Sequence, residues 1–203
     1  LLGDGKGLSA KVGQFMTMDG EDRELRETLC AAIEPMPFGQ VKDVLREAYG
    51  APYDTIFKSL DKKGRPASLG QVHFGTLLDG RDIAVKIRYP DIAKSVEAEL
   101  LLMGFLTKVG TVARWGFNLD GYRDVFWRKF SEELDYSLEM RNQQRYCGMI
   151  PPLREVVVPE VIAEYSKPNI LVQRLEEGIS VDEAEKRSPS ERQSMGRAML
   201  RHY

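Results

Sequence analysis

The dipeptide Asp79-Gly80 lies between two segments that read as β-strands, and this hairpin restricts the available folds more than any other feature of the chain. Glycine accepts a positive φ without a steric penalty, so Asp-Gly between alternating apolar positions is a strong short-range hairpin signal. The incoming strand, Ala67 to Gly75, is interrupted by glycines. The returning strand, Asp82 to Arg88, is stopped by Tyr89-Pro90, because proline cannot donate to a ladder and restricts the residue before it. On the amino-terminal side the period is helical: Leu8, Val12, Phe15 and Met16 share a stripe, Leu25, Leu29 and Ile33 step by four, and Val41, Val44, Leu45 and Ala48 repeat the pattern. Beyond the hairpin the spacing predicts helices over about Asp91 to Lys108 and about Gly121 to Tyr146. Short strands follow at Val156 to Val158, Val161 to Ala163 and Ile170 to Gln173, and helix resumes from Val181. Strands and helices segregated in this way predict an α+β fold rather than a doubly wound sheet.

With 203 residues the chain can bury one core, or one core with a helical appendage. Hydrophobic residues make up 42% of it, which argues against disorder, and a net charge of −2 offers no basic field for nucleic acid. Cys30 and Cys147 lie far apart, and only His73 and His202 accompany them, so neither an ordinary zinc site nor a disulfide framework is expected. The longest strongly apolar stretch, Leu100 to Leu106, is far short of the roughly 20 residues that span a bilayer. The opening Leu-Leu-Gly-Asp-Gly-Lys-Gly lacks a signal-peptide pattern and reads as a cut into a longer polypeptide.

Lys86 stands among apolar neighbours in Ala84-Val85-Lys86-Ile87. An ammonium there either lies along the sheet surface or faces a cleft with a partner, since burying it alone is costly. Upstream, the small-residue turn Ala67-Ser68-Leu69-Gly70 precedes Gln71. Small residues let backbone N–H groups approach phosphate oxygens, and the Ser68 hydroxyl adds a donor; the plainer alternative is a tight turn. The acidic segment Ser131 to Glu139 offers carboxylates. At about 100° per residue, Asp135 and Glu139 fall near one helical face, whereas Glu133 lies about 200° from Asp135. Glu133 and Asp135 can therefore hold one cation only if a helix begins between them or is distorted; otherwise they are solvated charge. Lys11 and Gln14 share a face at i, i+3, with Gly13 between them at a helix cost of about 1 kcal/mol.

Taken in order, Lys11-x-Gly13-Gln14, Ala67-Ser68-Leu69-Gly70-Gln71-Val72-His73, Ala84-Val85-Lys86-Ile87-Arg88-Tyr89-Pro90 and Glu133-Leu134-Asp135 closely resemble the UbiB (AarF-type) family of atypical protein-kinase-like proteins, linked to ubiquinone and other isoprenoid-quinone lipid metabolism. The resemblance runs from Gly7 to about Tyr203. It implies a kinase-like N-lobe, a small antiparallel sheet with helices, over residues 61–178. A helical extension with the Lys-x-Gly-Gln motif would occupy 1–60, and a C-lobe would begin in 179–203. By resemblance the Lys11 and Gln14 helix covers the nucleotide cleft, latched by Glu133 or Asp135. The loop from Ala67 through Ser68, Leu69 and Gly70 to Gln71 replaces a glycine-rich phosphate loop. Lys86, on the third strand, reaches the phosphates. Glu139 is the carboxylate placed to pair with Lys86, with Glu133 as its rival, and backbone near Arg174, Leu175 and Glu176 meets adenine at the hinge. Two departures stand out: Arg174 replaces a usually acidic residue, and Pro66-Ala67-Ser68 replaces a richer alanine loop.

The resemblance implies binding of ATP or ADP with Mg²⁺, and kinase or ATPase chemistry supporting quinone-lipid biosynthesis. No catalytic Asp followed by Asn, and no Asp-Phe-Gly, follows Gly178, so this stretch alone is not expected to turn over ATP. The alternatives are a non-catalytic kinase-like scaffold binding quinone-biosynthesis enzymes or lipid, and a helical interaction domain with an incidental hairpin. The resemblance admits peripheral membrane association. Its settings are the bacterial cytoplasm or inner-membrane periphery, the mitochondrion and the plastid.

Overall fold

The computed structural model describes residues 35–67, 69–94, 128, 131–149 and 155–201. Within them lie helix α1 (Phe38–Tyr49), strands β1 (Phe57–Leu60), β2 (Arg65–Ala67), β3 (Gly70–Leu77) and β4 (Asp82–Arg88), helix α2 (Tyr136–Met149), strand β5 (Ile170–Arg174), and helices α3 (Val181–Glu185) and α4 (Pro189–Arg201). The fold is α+β, as expected.

The predicted hairpin is the centre of the sheet. β3 and β4 pair antiparallel from Gly70↔Arg88 to Thr76↔Asp82, and Gly80 takes φ +93° in the connecting turn. β5 lies antiparallel on the other side of β4, in register Ala84↔Gln173 and Lys86↔Leu171. β1 and β2 occupy successive stretches of the outer side of β3. The strand bearing Lys86 is thus fourth in chain order, and not third, because this outer strand is broken in two around Asp61 to Gly64. Where the β1 register slips, a side chain at Gly75 would place Cβ 2.2 Å from the Ser59 carbonyl oxygen, so only glycine lets the strands approach.

Two-residue periodicity divides the sheet into a dry face and a mixed one. Ile83, Val85 and Ile87 alternate with Ala84, Lys86 and Arg88; the first three are fully buried with Ile170, Val172, Phe57 and Leu77 against Val41, Val44 and Leu45 of α1. One apolar cluster therefore runs from α1 into the sheet, across the division expected at residue 60. The opposite face carries a smaller cluster, Tyr136, Val161 and Leu171, with Met140 packed on it.

Gln71 and His73 face the α1 side, paired with Ile87 and Val85, and neither has any exposed surface. Their polar atoms are satisfied by one another and by backbone. The Gln71 amide accepts from Met36 N at 2.6 Å and donates to Met36 O at 3.1 Å, bracketing that residue like a strand partner. Its second N–H meets His73 Nε2 at 2.7 Å, so His73 Nε2 accepts and His73 Nδ1 donates to the Asp61 carbonyl at 2.7 Å. A Cβ at Gly64 would sit 2.6 Å from Gln71 Nε2, which explains the glycine there.

Two expectations are corrected. Val156 to Val158 form no strand, and Val161 makes a single bridge to Gln173 before a 3-10 turn at Ala163–Tyr165. Pro159 has no N–H to offer a ladder, and pairing with β5 is confined to Ile162 N with Val172 O and Arg174 N with Glu160 O, each 2.8 Å. The helix expected to run unbroken to Tyr146 is interrupted at Asp135 and restarts at Tyr136. The helices expected before residue 35 and most of that expected over Asp91 to Lys108 lie outside the described residues. Among the described residues no helix is long and apolar enough to cross a membrane.

Burial holds the His73 imidazole below its ordinary pKa, with the Asp61 carbonyl opposing this. The unfolded chain therefore binds more protons than the folded one once the pH drops below about 6.5, and stability is full above that pH and lost below it. Thermal melts from pH 8 to 5.5 should show Tm falling below pH 6.5, at up to about 1 kcal/mol of stability per pH unit. His73→Gln should flatten that limb; an unchanged slope in the variant would refute the assignment.

Candidate functional site

On the mixed face of β4, Lys86 Nζ donates to both carboxylate oxygens of Glu139, each at 2.8 Å. The ammonium also lies 4.7 Å above the ring centre of Tyr136. The two charged side chains retain about a third of their exposure, 30% and 36%, so the pair is accessible from a cavity rather than sealed.

Glu139 reaches this position because α2 starts where it does. Asp135 is its N-cap: the side chain accepts from Ser137 N at 2.9 Å, and its carbonyl accepts from Leu138 N and Glu139 N. Tyr136 N donates to the Pro168 carbonyl at 3.1 Å, and the Arg88 guanidinium donates to the Leu134 carbonyl, so the end of β4 and the turn before β5 hold the incoming chain. The break falls at Asp135 itself, with Glu133 in the helical segment before it and Tyr136 opening the helix after it. Glu139, and not Glu133, pairs with Lys86.

Tyr136 is 1% exposed and its hydroxyl has no hydrogen-bond partner. Burial first, and the Glu139 charge second, push its phenol well above the usual range, so it stays neutral. Its ring supports the ammonium from beneath while its oxygen contributes nothing visible.

A cavity of about 740 Å³ opens beside this pair. Its apolar walls come from Leu69, Tyr136, Val158 and Pro159; its polar ones from Lys86, Glu132, Glu133, Glu139, Gln143 and Gln173. The fold thus assembles Lys86, Glu139, Glu133 and Leu69 from the residues singled out in the sequence. Ala67 pairs with Gly70 across a tight turn, and Leu69, 3% exposed, lines the cavity. A side chain at Gly70 would place Cβ 2.2 Å from the Ile87 carbonyl oxygen. Gln71, expected at the cofactor, is turned to the opposite face, where Met36 and His73 use its amide; strand alternation puts it out of reach. Asp135 is engaged as a cap.

Arg174, Leu175 and Glu176, expected to meet a base, do not line the cavity. Leu175 N extends the β4 ladder to the Asp82 carbonyl at 2.9 Å, Arg174 N is bound to Glu160 O, and the Arg174 guanidinium lies 3.7 Å from Glu176. Lys11, Gln14 and Ser68 lie outside the described residues. Among the described residues no group of three potential ligands gathers to hold a metal ion. Tyr136, Gln143 and Gln173 were not singled out in the sequence. Their signal was positional: Tyr136 and Gln143 flank Glu139 at i−3 and i+4, and Gln173 shares a strand face with Leu171, two residues before it.

The family model described as ABC1 atypical kinase-like domain matches residues 28–203. The mitochondrial atypical kinase coq-8 of Caenorhabditis elegans is 30% identical over 184 residues, covering 87% of this chain and 24% of the relative. The mitochondrial atypical kinase COQ8 of Saccharomyces cerevisiae is 28% identical over 203 residues, covering 97% and 40%. The chloroplastic protein ACTIVITY OF BC1 COMPLEX KINASE 1 of Arabidopsis thaliana is 30% identical over 152 residues, covering 72% and 22%. A solved structure, the complex of Rv3197 with erythromycin from Mycobacterium tuberculosis, is similar at TM-score 0.62 and 29% identity, covering 94% of this chain and 50% of that one. The chain spans less than half the length of these curated relatives.

Removing an unpartnered buried hydroxyl should cost nothing, so Tyr136→Phe should leave urea-unfolding stability unchanged or raise it by up to about 1 kcal/mol. Asp135→Ala should lower it by about 1 kcal/mol through loss of the cap. A destabilised Phe variant would reveal a partner for the hydroxyl.

Proposed function

The chain belongs to the ABC1 atypical kinase-like family, with the sheet and α2 as its kinase-like N-lobe, and from that premise we propose that it forms the phosphate-gripping half of an ATP-binding protein that supports isoprenoid-quinone lipid biosynthesis. The observation that carries this reading is the two-pronged contact of Lys86 with Glu139 at the cavity edge. In kinase-like sites a strand lysine, steadied by a helix glutamate, binds the nucleotide phosphates. The bidentate carboxylate takes two of the three N–H donors and fixes the ammonium without burying it, so the third remains for an incoming anion.

The cavity suits a nucleotide in size, since small-molecule sites run from about 300 to 1,000 Å³. Its charge balance is less welcoming: three glutamates and one lysine line it. A triphosphate entering there needs added positive charge. The magnesium implied by the family would supply it, although the described residues assemble no site for that ion. The helix bearing Lys11 and Gln14 would supply positive charge too, with Glu133, which lines the cavity, better placed than the capping Asp135 to receive it.

The acidic lining favours a second reading, a non-catalytic scaffold of the same fold that binds quinone-biosynthesis enzymes or lipid. Relatives named as mitochondrial and chloroplastic support an organellar setting for either reading.

The two readings part on nucleotide binding by the full-length protein. With a fluorescent ATP analogue, Lys86→Ala should weaken binding at least about tenfold and Glu139→Gln about fivefold, through loss of charge-assisted contacts. Undiminished affinity and ATPase activity in Lys86→Ala would refute the role given to the lysine; a wild-type protein that binds no nucleotide would favour the scaffold.

A further inference from the structure

Two glutamines in the cavity wall form a hydrogen-bonded relay whose direction is forced. Gln143 Nε2 donates to the Pro159 carbonyl at 2.6 Å. That oxygen can only accept, so the Gln143 amide cannot be reversed without losing the bond. Its Oε1 is therefore the atom turned to Gln173, whose Nε2 donates to it at 2.5 Å. Gln173 Nε2 gives one of its two N–H groups to Gln143, and among the described residues no hydrogen bond reaches Gln173 Oε1. The orientation of Gln173 is thus decided by a backbone carbonyl two links away.

Gln173 sits on the same sheet face as Lys86. Its register partner is Ala84, two residues along β4 from Lys86 and thus about 7 Å away along the strand. A ligand whose phosphates meet the ammonium can extend along the sheet to the glutamine. The backbone N–H groups of Arg174 and Leu175 at this end of β5 are committed to Glu160 and Asp82. The Gln173 side-chain amide lines the cavity at this end and is able to read a base edge; Asn142 lines it too, on α2.

The geometry points to Gln173 as the residue that selects an adenine over a guanine nucleotide, its Oε1 accepting from the exocyclic amine of adenine and opposing the carbonyl oxygen that guanine presents instead. This rests on the nucleotide reading above. Amide side chains read adenine through its exocyclic N–H and ring nitrogen because their donor and acceptor edge is complementary to it. An unpaired acceptor set against another acceptor is penalised.

ATP and GTP are competed separately against a fluorescent ATP analogue on the full-length protein. The wild type should prefer ATP by about tenfold or more, and Gln173→Met should bring the ratio to within about threefold of one. Gln143→Met, which frees the Gln173 amide to rotate, should fall between them. Both nucleotides are read on the same sample, so a partly unfolded variant lowers the active fraction without altering the ratio. A wild type that does not discriminate, or a Gln173→Met protein that keeps the full preference, overturns the assignment while leaving Lys86-dependent binding intact. No nucleotide binding by the wild type overturns both readings together.

Discussion

An ammonium on the sheet and a carboxylate on α2, joined by two hydrogen bonds of 2.8 Å, set the geometry of this lobe, because α2 has little apolar surface with which to dock. Of its fourteen residues only Tyr136 is buried. The inward stripe, Tyr136, Glu139, Met140 and Gln143, follows helical spacing but is half polar, and its partners are Lys86, Leu171 and Gln173. A hydrophobic stripe tolerates sliding at modest cost, since its contacts are not directional. A seam of charge-assisted and amide hydrogen bonds does not, because each bond has a preferred distance and angle. The placement of α2 is consequently specified residue by residue.

That seam begins with a helix start. Asp135 stops one helical segment and caps the next, and the backbone groups on either side of it are tied to Arg88 and Pro168. The acidic run thus divides its labour: one carboxylate caps, one pairs with Lys86, and Glu132 and Glu133 line the cavity. The opposite face of the sheet uses polarity for a different purpose. There Gln71 and His73 are sealed from solvent and fully bonded, and they hold the backbone of Met36 to β3. A buried polar network is tolerable only when every member is satisfied, and here the histidine tautomer and the absence of a side chain at Gly64 make it so.

Much of the lobe was legible in the sequence wherever the cause was local. The Asp79-Gly80 turn, the alternation along Ile83 to Arg88, the α1 stripe and the helices after Gly178 are each fixed by neighbours a few residues apart, and each appears in the structure. Glu139, named from its position in the acidic segment, is the carboxylate that meets Lys86. Gln71 shows where reading by motif misleads. It adjoins the small-residue turn in sequence, yet it points to the dry face, because the register of the hairpin pairs it with Ile87 rather than Arg88. The Val156 to Val158 run reads as strand by composition, but Pro159 and the limited pairing offered by β5 leave it irregular.

By itself the sequence determined the hairpin, the two faces of the sheet and the helical stripes, since backbone preference and side-chain period act over a few residues. It could not determine which distant groups would meet. Lys86 and Glu139 are 53 residues apart, Gln71 and Met36 are 35 apart, and Gln143 and Gln173 are 30 apart. Those pairings are set by how β4, β5 and α2 pack together, because a hydrogen bond forms only when packing brings its two ends within about 3 Å.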